Sequence, residues 1–320
     1  MKPSHFLRKH LKPLIAALLL SFAIVVMGLA SRLLASKEDT SQNSVLTDNT
    51  HRPSANVFTA DSLKASHPRS ESILKADDAQ TQLSSAHYPL PSEIFQVAGV
   101  TFKMIRVKGG TFQMGAEDEL KDEVFEWEMP AHEVTLPDYM IGETEVTQEL
   151  WEAVMGNNPS KHIGANLPVE KVSWNDCQQF IQRLNNLTHR SFRLPKEAEW
   201  EFAARGGNES RHYCYSGSDT LNEVGWYFDN SNFMTHPIGT KRPNELGLYD
   251  MSGNVREWCD DKFYYYNPSV DTSFNDTTIF DSHMNRGGGL FCREWDCRVS
   301  ERIDEAPDTK HNYLGFRLAL

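Results

Sequence analysis

Between residues 147 and 207 apolar side chains recur every three to four positions, and polar caps bracket each run. Leu150, Trp151 and Val154 fall on one face of a stretch that Thr147 can cap and Gly156 can stop. That spacing predicts a helix over residues 147–155. A second is predicted over residues 174–187, with Cys177, Phe180, Ile181 and Leu184 facing inward. Ser173 is its cap, and Asp176 three residues on is an acidic form of the capping box. A third opens with Pro195 in its first turn, carries Ala198, Trp200, Phe202 and Ala203, and stops at Gly206-Gly207. Elsewhere the period shortens. Residues 109–115, 168–172 and 314–320 read as strands or strand edges between long loops, and no internal repeat stands out. A few helices, many short strands and much loop make an α+β fold with little regular secondary structure, a single domain over residues 93–320. So much loop needs something to fix it, and bound cations are one candidate.

The first part of the chain has a different texture. Residues 1–12 carry Lys2, Arg8, Lys9 and Lys12 with no acid, and residues 14–30 are apolar apart from Ser21. A basic flank before an apolar run reads as a signal peptide or a signal anchor over residues 1–37. Such a run is at the short end for a membrane span, so both readings stay open. Residues 38–92 are polar and short of aromatics, the composition of a disordered tether. The domain is therefore expected in the cell envelope. It would be anchored on the extracytoplasmic, periplasmic side with the N-terminal segment as its only membrane contact, or secreted if the leader is cut.

Charge narrows the partners. The formal net charge is −12, and setting aside the six lysines and arginines of residues 1–37 leaves −18 on the rest. Such a surface repels nucleic acid and anionic membranes and suits a hard cation held by carboxylates. The five cysteines are Cys177, Cys214, Cys259, Cys292 and Cys297. An odd number in a chain long enough to bury a core does not look like a disulfide scaffold. Cys177 sits on an apolar helical stripe and reads as core.

Seven blocks in order resemble the sulfatase-modifying-factor, or formylglycine-generating-enzyme, family. They are Gly110-Thr111-Phe112-Gln113-Met114-Gly115, Glu145-Val146-Thr147 with Trp151, and Pro168-Val169 leading to Val172-Ser173-Trp174. Arg193-Leu194-Pro195-Lys196-Glu197-Ala198-Glu199-Trp200-Glu201 and the block from Gly247 to Trp258 follow. Arg286-Gly287-Gly288 and Leu314-Gly315-Phe316-Arg317 close the series. The resemblance implies a compact domain related to C-type lectins and stabilised by calcium. It implies one site of backbone oxygens from Ser252, Gly253 and Val255 with the Glu257 side chain. A second would fall at Val224, Gly225, Asn230 and Asn232, where the family usually places an acid opposite Asn230.

By the same resemblance, Cys292 and Cys297 would bind Cu(I) and oxidise a cysteine in an extended peptide of a sulfatase to formylglycine. Two thiolates suit a soft monovalent metal. On a regular strand positions five apart face opposite ways, so both sulfurs could meet one metal only if residues 293–296 turn or bulge. Active members carry Ser where this chain has Gly289 and His where it has Arg293. The competing expectation is a calcium-stabilised module without catalysis, docking another envelope protein in secretion or surface machinery. The scattered histidines offer no metal-binding helix.

Overall fold

In the computed structural model, residues 92–116, 124–266 and 281–320 are described. The expected leader and most of the tether lie outside them. Strand β1 (Ser92–Val97) turns back at Ala98-Gly99 into β2 (Val100–Val107), and β5 (Tyr139–Gly142) completes an antiparallel sheet in the order β1-β2-β5. Ser92, at the tether's expected end, is thus already in the sheet. β3 (Thr111–Met114) and β4 (His132–Thr135) form a separate ribbon. The four-stranded sheet runs β8-β7-β6-β9, from β6 (Arg256–Lys262), β7 (His283–Arg286), β8 (Arg302–Glu305) and β9 (Leu314–Gly315). β6 and β9 pair in parallel, Arg256 opposite Leu314.

The helices follow the apolar spacing. Helix α1 (Gln148–Met155) is capped by Thr147, whose hydroxyl accepts from Leu150 N, and Gly156 closes it in the left-handed region. Helix α2 (Trp174–Thr188) has the expected capping box: Ser173 Oγ accepts from Asp176 N at 3.1 Å and Asp176 Oδ2 from Ser173 N at 2.9 Å. Helix α3 (Glu197–Ala204) starts two residues later than its proline predicts. Arg193 pairs instead with Ala319 in an isolated bridge, and Lys196 takes the cap position. Residues 168–172 contribute one bridge, Pro168 to Thr147, rather than a strand.

One core cluster packs Leu150, Trp151, Phe180, Leu184 and Phe316 of α1, α2 and the C-terminal segment around Trp258. A second gathers Trp200, Phe202, Leu248, Met251 and Met284. Burial of this aromatic and aliphatic surface is the main force holding so loop-rich a chain together. The loop joining β7 to β8 is where the candidate chemistry lies.

Candidate functional site

After β7 the chain passes through Gly287 and Gly288, both at positive φ. A Cβ on Gly288 would come within 2.5 Å of Cys297 Sγ, so the second glycine lets the backbone close onto that thiol. The chain then bends. Cys292 N donates to Gly289 O, Asp296 N to Arg293 O, and Glu294–Cys297 form a 3-10 turn. This turn supplies the reversal that a regular strand could not. Cys297 is fully buried with Leu221, Val224 and Tyr227, and Cys292 packs half-buried against the same cluster with Tyr215. Both thiols are free.

Burial raises the pKa of each thiol. For Cys297 the neighbouring Cys292 adds to the rise, and for both the Arg256 guanidinium works the other way. Arg256 is itself buried and paired with Glu301 at 3.0 Å. A soft metal taken up here must therefore displace protons, the coupling expected of thiolate sites. Two reduced sulfurs in one apolar cluster are a donor set that fits Cu(I).

The two positions that depart from the resembling family have physical consequences. Arg293 extends away from any metal role: Nη1 meets Asp229 at 3.1 Å and the guanidinium lies 3.8 Å over the Phe228 ring. At Gly289 a Cβ would stand 3.3 Å from Arg256 N, Asn254 O and Tyr313 O, all backbone atoms. A serine would be tight there.

The calcium candidates are closed by the protein's own groups. Glu257, fully buried, accepts from Arg317 Nε at 2.5 Å and Nη2 at 2.6 Å, and from Trp200 Nε1 at 2.6 Å. Its charge is already met. The turn bearing Ser252, Gly253 and Val255 is instead held by Glu145, which accepts from Asn254 Nδ2 at 2.8 Å and Val255 N at 3.1 Å. At the second set, Asn230 does bond to Gly225, but through its amide. Nδ2 donates to Gly225 O at 2.9 Å and to Asn222 Oδ1 at 3.0 Å, while Oδ1 accepts from Tyr227 N. The amide N–H thus engages the Gly225 carbonyl that the resemblance offers to the ion. Asn232 lies exposed beyond it at φ 54°. Neither set offers calcium a free carboxylate, so these residues do not fit the ion as expected.

Three functional-looking groups are given no site role by the sequence reading. Glu145 is pushed well above the usual carboxylate range by burial and then by Asp250 and Glu257. Asp250 is buried with Oδ1 unpartnered. Cys214, exposed, lines a cavity of about 680 Å³ with Phe112, Phe202, Arg205, Tyr213 and Arg298, apart from the thiol pair.

Residues 91–320 match the model of the sulfatase-modifying factor enzyme 1-like domain. The "Chaperone protein LppX" of Paenibacillus barcinonensis is 33% identical over 210 residues, 50% of this chain and 71% of that protein. The "Formylglycine-generating enzyme" of Streptomyces coelicolor is 35% identical over 175 residues, 48% of this chain and 52% of the enzyme. The match therefore spans only about half of that enzyme's length. Among solved structures, Treponema denticola variable protein 1 superposes with a TM-score of 0.63 at 31% identity, covering 71% of this chain and 98% of that one. PvdO from Pseudomonas aeruginosa, at 23% identity and a TM-score of 0.59, shares the fold.

Proposed function

Since the chain belongs to the sulfatase-modifying factor family, we propose that Cys292 and Cys297 form a Cu(I)-binding thiol pair acting on a cysteine of another protein, in the manner of a formylglycine-generating oxidase. The observation supporting this reading is that two free thiols, with a 3-10 turn between them, pack with one apolar cluster near Arg256. Cu(I), when bound, would supply the activation of dioxygen. The protein's part is to hold the sulfurs. Cys297, packed among Leu221, Val224 and Tyr227, is the fixed ligand. Cys292, half-buried, is the one that can adjust and lose its proton to solvent. Arg256 favours the thiolate form of both. The substrate cysteine would arrive in an extended peptide of a sulfatase. The extracytoplasmic placement rests on the basic and apolar order of residues 1–37 alone.

The test is a Cu(I) competition titration of the full-length chain against its Cys292→Ser variant. Loss of one of two thiolates should weaken affinity by at least about 100-fold. Equal affinity would overturn the reading.

A second reading, a non-catalytic assembly module at the cell envelope, is favoured by Arg293. That residue is withdrawn onto Phe228 and Asp229 where active relatives place a histidine. It predicts no aldehyde, by mass spectrometry, after aerobic incubation of the copper-loaded chain with a cysteine-containing sulfatase peptide.

A further inference from the structure

We propose that Glu170, His162 and Thr235 hold a divalent transition-metal ion, in the range from Mn2+ to Zn2+, that fastens the loop over residues 157–167 to the segment at Thr235. The first sign is a charge without a partner. Glu128, Glu197, Glu199, Glu201, Glu257 and Glu301 are buried, and each meets an arginine. Glu145, also buried, has its two oxygens bonded by Asn254 Nδ2 and Val255 N. Glu170 is fully buried and has neither arrangement. Its Oε1 accepts from the backbone N–H groups of Lys161 and His162, while Oε2 has no partner. The cations that act on it, Lys171 and Lys161, are exposed and reach it only at a distance. A carboxylate sealed from water without a counter-charge is costly.

A second unmet oxygen belongs to Thr235, which is buried and leaves its own hydroxyl unpartnered. The His162 ring meets both residues. Its Nδ1 lies 3.9 Å from Glu170 Oε1 and 3.5 Å from Thr235 N. Two ligands each about 2.1 Å from a metal stand at most about 4.2 Å apart, so Nδ1 and the carboxylate are within reach of one ion. The contact with Thr235 N is too long to satisfy the ring nitrogen by itself.

The frame around these groups is already set. Gln148 of α1 donates through Nε2 to His162 O at 2.7 Å and accepts from Gly164 N at 3.2 Å. Ile238 N donates to Asn166 O at 3.0 Å, and Glu170 N donates to Ser160 Oγ at 3.2 Å. These supporting bonds leave Glu170 Oε2 and the Thr235 hydroxyl unused. The donor set then selects the metal. It holds no thiolate, which disfavours Cu(I), and its imidazole nitrogen disfavours calcium and magnesium, which take oxygen. One carboxylate, one imidazole and one hydroxyl, with water completing the shell, suit the ions from Mn2+ to Zn2+. Among the described residues no three His, Cys, Asp or Glu side chains gather as a metal set, so the hydroxyl is needed as the third protein ligand. The proposal stands whether or not the thiols bind copper.

The experiment is a Mn2+ titration of the EDTA-stripped full-length chain, read by the electron paramagnetic resonance signal of the free ion. Thiols hold Mn2+ poorly, which keeps Cys292 and Cys297 out of the measurement. The wild type should take up one tightly held ion, and Zn2+ should displace it, as the order of affinities requires. Glu170→Gln keeps an oxygen for the two backbone donors but loses the charge. It should bind Mn2+ at least about 100-fold more weakly. Thr235→Val, which leaves Glu170 in place, should bind about tenfold more weakly, and it decides the matter should Glu170→Gln fail to fold. Cys292→Ser should match the wild type, so this result and that of the copper titration are read separately. No uptake by the wild type, or an affinity in either folded variant equal to that of the wild type, would overturn the proposal.

Discussion

At the scale of single residues, Asn230 shows how one atom decides what holds a loop. Its Nδ2 satisfies Gly225 O and Asn222 Oδ1, two acceptors that a cation would otherwise draw together. Asn230→Asp replaces that donor with a third acceptor. In EDTA the variant should lose about 1 kcal/mol, chiefly the cost of leaving the part-buried Gly225 O unmet. Millimolar calcium should restore it, since an acid and two oxygens are what that ion prefers. The wild type should melt at one temperature in both buffers. Identical melting of Asn230→Asp with and without calcium would refute this account. The sequence shows the asparagine and, by resemblance, the acid that relatives place there. Which end of the amide faces Gly225 follows only from the folded loop. The same holds for Glu257, whose partner Arg317 lies 60 residues away.

Among the elements, the helices were legible because their signals are local. Thr147 and Ser173 cap where the spacing predicts, and the apolar stripe of α2 buries Cys177, Phe180, Ile181 and Leu184 as its period requires. Ser173→Ala should therefore lower the urea unfolding free energy by about 1 kcal/mol. The same change in an Asp176→Ala background should cost less, because the box is already broken. A full additive loss would mean that the two groups act separately. The strands were harder. β7 reads His-Met-Asn-Arg, a polar stretch, yet all four residues are buried. It is a strand because Arg286 meets Glu201 and Glu197 from α3 and donates to Ser300 O and Glu301 O. No alternation of apolar and polar positions can announce an element whose interior face is ionic.

For the molecule as a whole, the core is partly a set of buried glutamate–arginine pairs: Glu128 with Arg298, Glu197 with Arg302, Glu257 with Arg317 and Glu301 with Arg256. Each pair neutralises itself. Asp250, like Glu145, has no such partner. It is buried, accepts from Gly239 N through Oδ2, and leaves Oδ1 without a partner; desolvation raises it from 3.8 to about 6. Glu257 adds to the rise, and Arg317 and Lys241 oppose it. A carboxyl that holds its proton more tightly folded than unfolded adds stability that is complete below its unfolded value. That stability is lost as pH rises through the folded value. Between about pH 4 and 6 the protein should lose roughly 3 kcal/mol through this one group. Glu201, held below its ordinary value chiefly by Arg205 and Arg286 against burial, loses its own contribution only at lower pH. The two effects therefore occupy different windows. Asp250→Asn keeps the acceptor for Gly239 N and cannot ionise. It should be more stable than the wild type at pH 7, with the advantage shrinking to nothing near pH 4. Urea midpoints of both proteins across that range measure it, and parallel curves would place the charge elsewhere.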